Sequence, residues 1–165
     1  MLHLKYNMRK DGDKKVRRIE RQMNEVEALE LLKNCEYGVL STCGEGNKPY
    51  GIPLNYVVID KNIYFHCASV GTKLDNIRIN DKVCFTVVGK TKVLQEKFSM
   101  EYESVVAFGR AIKLEKDEKD EPLMEFIRKY SPDFIEQGQL YIDRGKEKAT
   151  LIKIELYSFT GKHRV

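Results

Sequence analysis

No apolar run in this chain of 165 residues approaches the ~20 that a membrane-spanning helix requires. The opening Met1-Leu2-His3-Leu4-Lys5 lacks the apolar stretch of a signal peptide. Both absences set the expectation of a soluble, cytoplasmic protein. The four cysteines, Cys35, Cys43, Cys67 and Cys84, are 8, 24 and 17 residues apart, and none forms a CxxC pair. Such spacing argues against a zinc site and against an intracellular disulfide, so no metal is expected. HExxH, a Walker loop, GxGxxG and a Ser-His-Asp arrangement are all missing. The chain carries no self-contained catalytic apparatus of those kinds, and its chemistry must come from a cofactor. There is also no internal repeat and no low-complexity linker, which leaves one domain.

What is present describes a globular chain: 42% hydrophobic and 33% charged residues, at a length able to bury a real core. The net charge of +4 is unevenly placed. Residues 1–21 hold eight basic side chains against Asp11, Asp13 and Glu20, so the rest of the chain is nearly neutral at −1. We read residues 1–23 as a basic arm and 24–165 as the domain. No aromatic-interleaved basic motif accompanies the arm, which argues for a solvated or dimer-packing tail and against nucleic acid.

From Asn24, a plausible cap, Ala28, Leu31, Leu32 and Cys35 form one apolar helical stripe. Strands are predicted over residues 37–43, 51–56, 63–68, 82–88, 102–115 and 149–160. A turn at Gly44–Asn47 and another at Asp60-Lys61-Asn62 join the early ones. Helices are predicted over residues 72–80, from Pro122 as first helical residue to the Ser131-Pro132 break, and over 133–142. Residues 89–98 read as a mobile loop. Six strands in hairpin-like succession with short helices predict a mostly β fold, a small antiparallel barrel with helical trim.

The most informative stretch is PYGIPLNYVVIDKNIYFHCASVGTKLDNIRI, residues 49–79. Pro53 cannot donate to a sheet ladder, so its strand must lie at an edge, bulge or bend. Backbone groups there are free to meet something other than a strand. Ser69-Val70-Gly71-Thr72 then opens a helix with Lys73 in its first turn, a natural phosphate cradle. On that helix Lys73 and Asn76 share one face with Asn80, while Leu74 and Ile77 share the other. We therefore expect Lys73 and Asn76 to point outward at a site. His66 lies on the opposite strand face from Phe65 and Cys67, close before the cradle, and can deliver a proton near neutral pH. An edge strand followed by a phosphate cradle points to a phosphorylated planar cofactor.

Six motifs in register, from about residue 20 onward, carry a resemblance: Tyr37-Gly38-Val39-Leu40-Ser41-Thr42, Gly51-Ile52-Pro53-Leu54-Asn55-Tyr56, Tyr64-Phe65-His66-Cys67-Ala68, Gly71-Thr72-Lys73-Leu74-Asp75-Asn76-Ile77, Glu103–Ala111 and Thr160-Gly161-Lys162. They resemble the FMN-binding split barrels related to pyridoxamine 5'-phosphate oxidase, in the branch containing 5-nitroimidazole resistance proteins. The resemblance implies a six-stranded antiparallel split barrel that binds FMN. It implies that Ile52, Pro53, Leu54, Asn55 and Tyr56 lie along the isoalloxazine edge. It further implies that His66, Cys67, Ala68, Thr72, Lys73 and Asn76 hold the ribityl phosphate, with His66 as the catalytic candidate. Ser104 enters by resemblance alone, as a polar residue approaching the flavin across a homodimer interface.

The oxidase carries an arginine and a lysine in the strand where this chain has no basic residue between Tyr50 and Asp60. That departure argues against oxidation of pyridoxamine phosphate itself. Two functions follow: an FMN-dependent oxidoreductase passing electrons to a small aromatic or nitro acceptor, or a non-catalytic flavin protein for sensing, carrying or storage. Haem or F420 in the same barrel is a third occupant.

Overall fold

The computed structural model describes residues 18–164. A capping box starts the first helix, α1 (Glu25–Asn34). The Asn24 side chain accepts from the Glu27 amide at 2.9 Å, and Glu27 accepts from the Asn24 amide at 2.9 Å. The buried side of α1 is Ala28 and Leu32, with Leu31 and Cys35 packed at its margin. Ahead of it Met23 is buried and its amide donates to the Gly161 carbonyl, so part of the expected arm lies against the barrel. Residues 1–17 of that arm lie outside the described residues.

Alternation of buried and outward side chains produces seven strands among the described residues: β1 (Tyr37–Cys43), β2 (Pro49–Asn55), β3 (Val57–Ile59), β4 (Asn62–Cys67), β5 (Lys82–Leu94), β6 (Ser99–Lys113) and β7 (Thr150–Arg164). They make one curled antiparallel sheet in the order β2-β1-β5-β6-β7-β4-β3. Leu40, Phe85, Val87, Val105, Ala107, Phe65, Ile63, Ile152 and Ile154 fill its concave side, and Ala28 and Leu32 of α1 close it. Each large side chain buried there stabilises the fold by about 1.5–3 kcal/mol.

The split-barrel expectation holds, with one strand more than the six predicted. The extra strand is β3, and Tyr56 creates it. The Tyr56 ring is fully buried, edge-on to Phe85 at 4.7 Å, and its hydroxyl donates to the Leu32 carbonyl. Turning that side chain inward takes the backbone off the β1 ladder, and Val57–Ile59 then pair with β4. Asp60 and Lys61 both adopt left-handed conformations, φ 47° and 66°, which closes the β3–β4 hairpin tightly.

The predicted loop over 89–98 is instead ladder. After an irregularity between Val88 and Thr91, residues 91–94 pair with 99–102, and a turn of Gln95–Lys97 joins them. Lys92 opposite Glu101 and Val93 opposite Met100 give cross-strand partners that composition alone conceals.

The remaining helices are α2 (Thr72–Ile79), α3 (Asp120–Tyr130) and α4 (Ile135–Gly145). Pro122 is the third residue of α3, two positions later than expected, and Ser131 ends that helix as predicted. No helix among the described residues is long and apolar enough to cross a membrane.

Candidate functional site

A curled sheet that does not close leaves two edges, and here both border the same opening. At one end of the order, β2 pairs only with β1 among the described residues. At the other, β3 covers β4 only over residues 62–64, so among the described residues Phe65, His66 and Cys67 pair with β7 alone. Tyr56 joins the two edges at one end of the split, and α2 begins five residues after β4 at the other. Unpaired strand edges carry N–H donors and C=O acceptors that a planar heterocycle can use.

Along β2 the exposure alternates as the edge position requires: Gly51, Pro53 and Asn55 are outward, and Ile52 and Leu54 are half-buried against the core. Tyr56 departs from expectation. Its ring belongs to the core and its backbone is already engaged. The Tyr56 amide donates to the Tyr130 hydroxyl oxygen at 3.0 Å. The Tyr56 carbonyl accepts from Lys129 Nζ at 3.0 Å. The Tyr130 hydroxyl proton is shared between the carbonyls of Glu36, at 2.6 Å, and Tyr56, at 2.8 Å. Tyr56 therefore ends the edge and has nothing left to offer a ligand. Burial raises its phenol well above the ordinary tyrosine range.

The start of α2 has the character predicted for it. Gly71 precedes the helix at φ 136°, a conformation that side chains disfavour, and open space surrounds the place a Cβ would take. Among the described residues no side chain caps the helix, and its first internal bonds run from the Leu74 and Asp75 amides to the Gly71 carbonyl. The amides of Thr72 and Lys73 precede those bonds, at the positive end of the helix dipole. Thr72 is exposed and Lys73 half-buried. The Lys73 charge is close enough to Cys67 to oppose the rise that burial gives the Cys67 thiol. Cys67 and Lys73 thus both stand at the α2 end of the split, with Ala68 exposed on the chain between them.

Asn76 does not share that outward face. It is buried, its Nδ2 donates to Thr42 Oγ1 at 2.9 Å, and its Oδ1 would lie 2.3 Å from a Cβ at Gly44. The reason is the short β1–β2 turn, which presses against α2 and leaves a polar gap that an amide fills. Asn76 fixes where α2 stands and acts on any ligand at one remove. Replacing Asn76 with alanine leaves the Thr42 hydroxyl without this donor, at a cost of about 1–3 kcal/mol. We expect a lowered Tm by calorimetry, with weaker ligand retention following from it.

His66 faces the other way from Cys67, toward α3. Its ring stands edge-on to Phe126 with centroids 4.8 Å apart. A cavity of about 160 Å³ adjoins it, lined by Leu123, Phe126, Ile127 and Ile142 together with Tyr141 and Lys146. His66 stays exposed, and partial desolvation beside this apolar lining lowers its pKa from 6.5. Ser104, half-buried on β6 opposite Val88 and Lys162, is three places along the sheet from β2 and outside the split of its own chain.

Sequence reasoning missed Lys129 and Tyr130. Tyr130 falls at apolar helical spacing with Leu123, Phe126 and Ile127, and no motif singles out Lys129. Nothing local marks a lysine that bonds a carbonyl 73 residues away.

An open antiparallel barrel with a strand-edge cleft ending on a helix N-terminus is a split barrel of the flavin-binding type. The chain belongs to the pyridoxamine 5'-phosphate oxidase family, whose sequence model matches residues 24–163. Among solved structures it is similar to a candidate 5-nitroimidazole antibiotic resistance protein of Bacteroides thetaiotaomicron, with TM-score 0.74, 20% identity and 86% of each chain covered. A flavocytochrome of Azotobacter vinelandii superposes at TM-score 0.75 with 18% identity, covering 91% of this chain and 72% of that one. An FAD-binding protein of Mesorhizobium loti superposes at 0.59 with 22% identity, covering 87% and 95%. At these identities the likeness is one of fold. No curated protein matches the chain significantly.

Proposed function

We propose that this protein is an FMN-dependent oxidoreductase that passes electrons to a small aromatic or nitro acceptor. The observation that carries the reading is the split itself. Two unpaired strand edges, β2 and Phe65–Cys67, run toward the uncapped N-terminus of α2, where Thr72 and Lys73 stand. The donor set fits FMN by its chemistry. Lys73 and the first amides of α2 suit a phosphate dianion. Asn55, exposed at the far end of β2, and the β2 backbone supply donors and acceptors for the polar edge of the ring. FMN, when bound, supplies the electron transfer. The apolar cavity beside His66 suits a small planar acceptor, and His66 is the group there able to carry a proton.

The test is direct. Purified protein should be yellow with the spectrum of oxidised flavin, bleach with NAD(P)H, and recover on addition of a nitroaromatic acceptor. A colourless protein that takes up no FMN overturns the reading. A yellow protein that does not bleach supports a flavin-binding role without turnover. One feature favours that second reading: α3 packs on the His66 ring, and partial desolvation holds it below its usual pKa.

A second copy of the chain completes the site in this proposal. The convex side of the sheet exposes Tyr37, Val39 and Val88 at 65%, 37% and 59%, beside outward Pro53. Ser104 stands on the same side, directly opposite Val88. Two-fold pairing buries such a self-complementary patch twice and brings Ser104 to the partner's cleft. Light scattering should give a dimer. A monomer holding stoichiometric FMN would rule this arrangement out.

A further inference from the structure

We propose that Lys129, in the last turn of α3, is the cation serving the ring end of the split, where its charge favours the reduced, anionic form of a bound flavin over the oxidised form. The inference rests on the flavin reading above.

The strand expected to hold the ring has no cation of its own, since β2 runs from Pro49 to Asn55 without a basic residue. Lys129 reaches its end from another element. Its Nζ donates to the Cys35 carbonyl at 2.8 Å and to the Tyr56 carbonyl at 3.0 Å, so it is fixed at the residue that follows Asn55. It also stands 4.3 Å above the Tyr56 ring and 5.3 Å from that of Tyr130. These contacts hold the ammonium in place without neutralising it. Among the described residues, no carboxylate lies in ion-pair contact with Lys129. The groups that face it are the Cys35 thiol, Glu36 ahead of β1, Glu125 on its own helix, and the Tyr56 and Tyr130 phenols.

A fixed charge in a half-buried place acts through a lower dielectric than water and is felt beyond its contacts. Two-electron reduction leaves flavin with negative charge on the pyrimidine side of its ring, the side that would meet Asn55. A cation there binds the reduced form better than the oxidised form. Burial lowers the Lys129 pKa to about 8. The charge is therefore present at neutral pH and is lost as pH rises through about 8, and the preference for reduced flavin should fade with it.

The test measures dissociation constants for oxidised FMN and for dithionite-reduced FMN, from pH 6.5 to 9.5, in the wild type, Lys129→Met and Lys129→Arg. At neutral pH the wild type should show a reduced-to-oxidised affinity ratio about tenfold above that of Lys129→Met. That is about 30 mV in potential for a two-electron couple. The gap should close above about pH 8, and Lys129→Arg should keep the high ratio at pH 9.5. A folded Lys129→Met with the wild-type ratio overturns the proposal and leaves Lys129 as a clamp on Tyr56. If Lys129→Met does not fold, the wild type against Lys129→Arg decides. Their ratios must diverge as pH passes about 8, and parallel curves overturn the proposal. Failure of the wild type to bind FMN in either form defeats the flavin reading as well. Binding without the predicted ratio defeats only this inference.

Discussion

Replacing Lys73 with alanine should weaken FMN binding about 10- to 150-fold while the apo protein melts where the wild type does. The first half follows from one charge-assisted contact to a phosphate, worth roughly 1.5–3 kcal/mol. The second follows from position. Lys73 is half-buried at the opening of α2, and among the described residues it makes no ion pair and no side-chain hydrogen bond on which the fold depends. The anchoring of α2 is done by Leu74, buried in the core, and by Asn76 on Thr42. Lys73→Ala and Asn76→Ala should thus separate: the first loses ligand at constant Tm, the second loses both. Fluorescence titration with FMN and calorimetry of the apo proteins measure the two quantities. Equal FMN affinity in Lys73→Ala and wild type would move the phosphate away from this helix.

How far the sequence reached depends on the range of the interaction concerned. The α1 cap was legible because asparagine ahead of an apolar helical stripe is a local signal, and the structure adds Glu27 as its reciprocal partner. The edge position of β2 was legible because proline removes a donor whatever surrounds it. The opening of α2 was legible because Gly71, Thr72 and Lys73 are consecutive. The inward turn of Tyr56 was not, since it depends on a carbonyl at Leu32 and on Lys129 and Tyr130 of α3. Helical spacing correctly put Lys73 and Asn76 near one another. It could not show that the β1–β2 turn would cover Asn76 and leave Lys73 half-open. The β5–β6 hairpin was hidden for a related reason. Its charged and polar residues interrupt the apolar alternation of Val93, Leu94 and Met100, and their pairing is with each other across the turn.

Replacing His66 with asparagine should slow flavin reoxidation by a nitro acceptor by about 10²–10⁴, the range lost with a general acid, while FMN stays bound. Asparagine keeps a hydrogen-bonding group of similar reach and removes the titrating proton. Retention of FMN is expected because His66 points toward α3, away from Cys67 and Lys73. The pH dependence supplies the sharper check. Desolvation lowers the folded pKa of His66 below 6.5, so it holds its proton less readily in the folded chain than in the unfolded one. Wild-type reoxidation should therefore accelerate as pH falls toward that lowered pKa, and the gap to His66→Asn should widen in acid and narrow above neutrality. The same shift has a stability consequence of known sign. Because the unfolded chain binds this proton more readily, the stability due to neutral His66 is lost as pH falls below 6.5. His66→Asn should show less acid destabilisation than wild type. If the variant instead loses FMN and reoxidises normally with FMN in excess, His66 is a cofactor ligand. If rate and affinity both stay at wild-type values while only the acid stability changes, His66 serves to seat α3 on β4, and proton delivery must be sought in solvent or in a second copy of the chain.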